Sequence, residues 1–212
     1  MREWLGMVHR YKVNAFHVVD CANGVGEFRG WSNRRKKKMF RNLINILSLH
    51  SSLNGCSASI VIKDYEDIVY PEAHKVFGGP KLLAFQLLLL EVSKRALQPV
   101  DFVVDKPSKG WGEFEDIFEK TRKLSRHRAW AGCLDKLTPG NVRTFPQLQT
   151  ADLLAYESYR ELARREKSKT GPTRKMRRSL WRLMIEKSLT SPYLERNGLL
   201  RLIEQCKKDG KF

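Results

Sequence analysis

Asp105 and Asp152 are the residues whose types and settings best suit chemistry. Asp105 closes the apolar run Val100-Asp-Phe-Val-Val-Asp105 and is followed at once by Lys106-Pro-Ser-Lys-Gly-Trp-Gly112. Such a run after Pro99 reads as a strand buried in an α/β sheet. Ligand sites of open α/β sheets gather at the carboxyl ends of their strands, so this is the address of a catalytic acid. The alternative is an aspartate that simply opens a turn before Lys-Pro. Asp152 lies in Thr144-Phe-Pro-Gln-Leu-Gln-Thr-Ala-Asp152-Leu-Leu-Ala-Tyr-Glu157. At helical spacing Gln149, Asp152 and Tyr156 fall within a sector of about 60°, flanked by Leu148 and Leu153. A carboxylate on such a face either has a task or complements the helix dipole near the N-terminus. The second carboxylate at Asp105 favours a task for the pair.

The elements that must position these acids follow from local signals. Pro146 suits the first turn of a helix that runs to about Arg165. Residues 1 to about 12 form an amphipathic helix with Trp4, Leu5, Val8 and Tyr11 at helical spacing. Val13 to Val19 alternates as a strand or extended segment ending at Asp20. The glycines of Ala22-Asn-Gly-Val-Gly-Glu-Phe-Arg-Gly30 match neither a Walker loop nor a dinucleotide fingerprint. Ser32 is an N-cap for a helix from Asn33 to about His50, with Met39, Phe40, Leu43, Ile46 and Leu47 facing inward. Gly55 to Ile62 reads as a strand, Tyr65 to Tyr70 as a short helical piece, and Lys81 to about Leu97 as a long buried helix. Glu113 to Leu124 reads as a helix and Arg128 to Leu134 as a weak strand. Leu137-Thr-Pro-Gly140 reads as a turn, and Ser179 to Ser188 and Leu199 to Lys207 as short helices. The core domain is placed at residues 1–166 and a basic helical extension at 167–212.

Composition bounds the function. The chain has 212 residues and 40 Lys and Arg against 23 Asp and Glu, a net charge of +17. Such an excess favours nucleic acid or another polyanion as a partner. Arg34-Arg-Lys-Lys-Lys38 is the densest run in the first half, read either as a phosphate contact or as a solvated face. Cys21, Cys56, Cys133 and Cys206 are scattered, with neither disulfide framework nor zinc spacing. The most apolar run, Leu82 to Val92, is too short to cross a bilayer. No continuous apolar core of a signal peptide follows Met1, so a cytoplasmic protein without membrane contact is expected.

Four motifs in order carry a resemblance. They are Phe16-His17-Val-Val-Asp20, Gly26-x-Phe-x-Gly-Trp-Ser32, Phe102-Val-Val-Asp105-Lys-x-x-Lys-Gly-x-Gly-Glu113 and Leu148-Gln-Thr-Ala-Asp152-Leu-Leu-Ala-Tyr-Glu157. Together they resemble the domain-of-unknown-function family numbered 3800, over residues 13 to 165. The resemblance implies an α/β, ribonuclease H-like mixed sheet flanked by helices and a metal-dependent nuclease. It implies Mg²⁺ or Mn²⁺ held by Asp105 and Asp152, since hard cations take oxygen ligands. A pair of such ions activates water and stabilises the leaving oxygen. Asp20 and His17 join the candidate catalytic set, His17 either orienting water or phosphate or serving as a structural hydrogen-bonder. Glu157 lies about 140° round the helix from Asp152 and serves another face. Lys109, Gln149, Arg34 and Lys37 are the candidate nucleic-acid contacts. The family's pattern opens with a strand carrying Asp-Glu-Ser-Gly, the first acidic ligand; here a helix stands before Phe16-His17. The expectation is therefore a site short of its N-terminal hairpin and of one carboxylate. Three functions follow: a nuclease, a non-catalytic nucleic-acid- or partner-binding protein, and an inactive truncated fragment.

Overall fold

The structure is a computed structural model that describes residues 1–50, 54–125, 133–168, 175–176, 183 and 193–211. It is mixed α/β and mainly helical. The chain begins with α1 (Arg2–Arg10), α2 (Val18–Asn23) and a 3-10 turn (Gly26–Phe28), followed by α3 (Asn33–Leu49). Next come β1 (Ser59–Ile60), α4 (Ile62–Ile68), α5 (Pro71–Phe77), α6 (Pro80–Ser93) and β2 (Val100–Asp105). The described chain continues with α7 (Trp111–Ser125), β3 (Leu134–Gly140), α8 (Gln147–Ser168), β4 (Tyr193–Leu194) and α9 (Arg196–Lys208).

The sheets are smaller than the mixed sheet expected above. Among the described residues β1 pairs with β4 in parallel, Ser59 opposite Tyr193 and Ile60 opposite Leu194, and β2 pairs with β3. Val100 N donates to Cys133 O at 2.8 Å and Lys106 N to Gly140 O at 3.0 Å, so β2 and β3 advance in the same direction. Two-stranded pieces of this kind are marginal alone and depend on packing against helices.

Several elements differ from the sequence expectation. Val13 to Val19 is not a strand: the segment is irregular up to His17, and α2 begins at Val18. The reason lies in its backbone donors. Phe16 N–H is given to the Gln149 side chain at 3.1 Å and Val18 N–H to the Asp152 carboxylate at 2.9 Å, so neither is left for a ladder. The strand expected over Gly55 to Ile62 shrinks to Ser59–Ile60, because Val61 N donates to Leu194 O and Ile62 then starts α4. Leu137 to Gly140 is part of a strand rather than a turn. Gly140 is needed there, since a Cβ would sit 2.7 Å from both Val103 Cγ1 and Phe145 Cδ2. Pro139 lacks a ladder donor, which an edge strand tolerates. The weak strand expected from Arg128 lies mostly outside the described residues, as does the helix expected from Ser179 apart from Leu183.

The chain forms two compact units. The first comprises Met1–Ser57, Val103–Lys106 and Pro139–Thr190; the second comprises Ala58–Phe102, Pro107–Thr138 and Ser191–Phe212. This division does not follow a boundary near residue 166, because α9 belongs to the second unit, where it packs with α4.

The core of the first unit holds Trp4 and Val8 of α1, Phe16, Phe28, Met39 and Leu43 of α3, and Leu153 of α8. The Phe16 ring meets Trp4 and Phe28 edge-on at 6.0 and 6.1 Å, the geometry that aromatic quadrupoles favour. Ser32 caps α3 as its type predicts, its Oγ accepting from Arg35 N at 3.3 Å.

The second unit is built on Tyr65, Phe77, Leu83, Leu199 and Ile203. Within it the Tyr65 hydroxyl donates to Gly78 O, and Asp64 accepts Arg196 N at 2.9 Å to cap α9. Among the described residues no single helix is long and apolar enough to cross a membrane.

Candidate functional site

The site is assembled entirely within the first unit, from α2, α8 and the end of β2. Asn141 Oδ1 accepts the N–H groups of Arg143 and Thr144 at 2.9 and 3.1 Å. This Asx turn aims the chain into α8. Leu148 and Gln149 are buried in the first turn of α8, Gln149 at 1% exposure. Its Oε1 accepts from Trp4 Nε1 at 3.0 Å and from Phe16 N at 3.1 Å, and its Nε2 donates to Val142 O at 3.1 Å. Gln149 is therefore not a nucleic-acid contact: its amide is enclosed and committed to tying α1 and the pre-α2 segment to α8.

Asp152 follows three residues later. Its Oδ2 accepts Val18 N–H at 2.9 Å and stands 3.9 Å from His17 Nδ1. His17 is the N-cap residue of α2 but makes no capping bond with its own side chain. Asp152 supplies that acceptor from 134 residues away, satisfying one of the orphan donors of the helix start. Gly24, in the left-handed region at φ 70°, ends α2 by returning its N–H to Asp20 O.

Asp105 is fixed from the other side. Lys106 N–H bonds Gly140 O at 3.0 Å, and Val103 fills the space left by the bare Gly140 Cα. The side chain of Asp105 is exposed at the strand end, while those of His17, Asp20 and Asp152 are half-buried. Burial pushes the Asp152 carboxyl above its ordinary value. Val18 N–H and His17 oppose that rise, and the charges of Asp105 and Asp20 add to it. Asp105 and Asp152, separate in sequence, thus lie within electrostatic reach of each other. They do not complete a cage: among the described residues no three His, Cys, Asp or Glu side chains form a group that could hold a metal ion.

The remaining candidates disperse. Arg34 and Lys37 are exposed on α3 in the first unit, and Lys109 is exposed in the second. Glu157 is fully buried, off the Asp152 face as its angular position predicts. The sequence marks Tyr11 only as part of the apolar face of the first helix and singles out neither Arg10 nor Asn42. All three line a cavity with Arg34, Arg35 and Lys38. A cationic residue ending α1 carries no motif, and only the run at Arg34 to Lys38 gave any signal.

No family model, curated protein or solved structure matches this chain.

Proposed function

We propose that this chain is a divalent-metal-dependent phosphodiesterase of the ribonuclease H-like type acting on nucleic acid, with Asp152 and Asp105 as the acids that carry it. The reading is supported by one observation above the others: Asp152 is a half-buried carboxyl whose proton affinity is raised by burial and by Asp105 and Asp20 nearby. A cation would relieve that clustering of negative charge. The donors are hard oxygens, and Mg²⁺ is ordinarily held by one or two carboxylates with substrate phosphate and water completing its shell. They suit an ion completed by substrate rather than one seated in a preformed cage. When bound, such an ion supplies the Lewis acidity and the activated water of phosphodiester hydrolysis. The chain's own part is to fix the acids. Val18 N–H holds Asp152 Oδ2, and the β2–β3 pairing holds Asp105. His17 Nδ1, at 3.9 Å from the same oxygen, is placed to orient water or a phosphate there. The net charge of +17 draws a polyanion toward an acidic site that would otherwise repel it.

The test is cleavage of RNA and DNA with Mn²⁺ or Mg²⁺ by the wild type, Asp105→Asn and Asp152→Asn. Loss of cleavage in both variants is expected; unchanged cleavage removes the proposal. A second reading, nucleic-acid binding without catalysis, is favoured by the capping role of Asp152 Oδ2, which gives that carboxylate a purely structural task. It predicts binding that persists in EDTA, weakens steeply with salt and leads to no cleavage.

A further inference from the structure

We propose that the cavity between the end of α1 and the first half of α3 is a phosphate-binding site for a nucleic-acid backbone. This deepens the nucleic-acid reading above, on which it rests, and is independent of the metal chemistry. The cavity has a volume of about 510 Å³ and is lined by Arg10, Tyr11, Arg34, Arg35, Lys38 and Asn42, together with the α3 cap Ser32. That volume lies in the ordinary range of ligand pockets, roughly 300–1,000 Å³.

Its charge is one-sided. Four of the lining residues are cationic and none is acidic, and the first turn of α3 contains no acidic residue. Among the described residues none of Arg10, Arg34, Arg35 or Lys38 is paired with a carboxylate. Arg34 and Lys38 stand four residues apart on one helix face, where like charges repel by a few tenths of a kcal/mol. The described residues supply no counter-ion, so the ligand that suits the cavity is an anion.

Its wall is held in advance. The Arg35 guanidinium lies 3.7 Å from the Trp31 ring centroid and donates through Nη2 to Tyr11 O at 3.0 Å. Asn42 Nδ2 donates to the Tyr11 hydroxyl at 3.2 Å. Trp31 also stacks on Tyr11, with centroids 5.8 Å apart. These rings are committed to the wall, so recognition falls on charge and fork-shaped donors rather than on base stacking. Arginine forks match phosphate oxygens in that way. Contacts of this type position a nucleic-acid strand without reading its sequence.

The experiment is fluorescence anisotropy of the full chain with a short labelled single-stranded oligonucleotide in EDTA, across a salt series. Arg34→Gln/Lys38→Gln removes two charges inside the cavity. Arg2→Gln/Arg41→Gln removes two from the same unit outside it and serves as the matched control. Both pairs change exposed side chains, and circular dichroism verifies that the variants fold. The cavity pair is expected to weaken binding about tenfold and to flatten the slope of log K against log salt by roughly 1.4 for two lost single-strand contacts. The control pair is expected to change binding less than about twofold at moderate salt, where distant charges are screened. Equal weakening by both pairs would show a diffuse field and overturn the proposal. Unchanged oligonucleotide binding in the cavity pair, even if inorganic phosphate still binds there, would also overturn it. Absence of any oligonucleotide binding by the wild type would remove the nucleic-acid reading itself. Absence of cleavage alongside cavity-dependent binding would remove only the metal reading.

Discussion

The Asp152 carboxylate accepts the backbone N–H of Val18 at 2.9 Å and so caps a helix that begins 134 residues earlier in the chain. One oxygen therefore joins α8 to α2 and sets Asp152 beside His17 and Asp20. The same bond makes Asp152 a structural residue as well as a candidate ligand, and the two tasks separate experimentally.

Asp152→Asn keeps an oxygen for Val18 N–H and removes the charge. Because the folded carboxyl is raised above its ordinary 3.8, the native state binds more protons than the unfolded state just above that value. Wild-type stability from this group therefore falls as pH climbs from 3.8 through the raised value. The variant should lose that part of the slope and melt no lower than wild type at neutral pH. Thermal melts across an acid-to-neutral series check this; a variant clearly less stable at neutral pH would mean that the charge itself stabilises the fold.

Gln149→Leu leaves Trp4 Nε1–H and Phe16 N–H buried without their acceptor. Each unpaired donor costs about 1–3 kcal/mol. Urea unfolding should show a loss in that range or above, with Trp4 fluorescence altered in the native baseline. A neutral substitution would contradict the enclosed amide described here.

Glu161 is nearly buried on α8 and bonds Arg164 Nη2 at 2.5 Å and Arg165 Nε at 3.0 Å. The hydrogen bond from Arg164 lowers its carboxyl below the ordinary value of 4.5, with burial opposing and Arg165 assisting. Its contribution to stability is complete above 4.5 and is lost as pH falls through the lower folded value. Glu161→Gln should cost on the order of 1–3 kcal/mol at neutral pH, the worth of hydrogen bonds to a charged group. Its difference from wild type should shrink in acid. Paired denaturant titrations at two pH values measure both.

Burial pushes the Cys21 thiol up to about 11, with Lys36 pulling the other way. Cys21 should stay protonated and alkylate far more slowly in the native protein than the half-buried Cys56 and Cys133, and equalise with them in denaturant. Peptide mass spectrometry after timed alkylation resolves the rates. Native-state labelling of Cys21 at the rate of Cys56 would place it outside the core.

Local signals in the sequence determined what local physics decides. Ser32 followed by an apolar stripe defines α3 within a residue, since a cap and a helical period both act over one or two turns. The apolar run to Asp105 defines β2, and the spacing from Gln149 to Tyr156 defines α8, though the face that it buries turns further round, to Glu157 and Glu161. Tertiary structure decided the rest. Val13 to His17 has a strand's composition yet is irregular, because its N–H groups go to acceptors outside any ladder: Val13 to Val8 O, Asn14 to the Glu27 carboxylate and Phe16 to the Gln149 side chain. Leu134 to Gly140 became a strand because β2 was there to pair with, and Gly140 because Val103 and Phe145 left no room for a Cβ. The setting of Asp152 and the cationic cavity follow the same rule: each is made by residues distant in the chain. A backbone donor carries no mark in the sequence of which distant acceptor will take it.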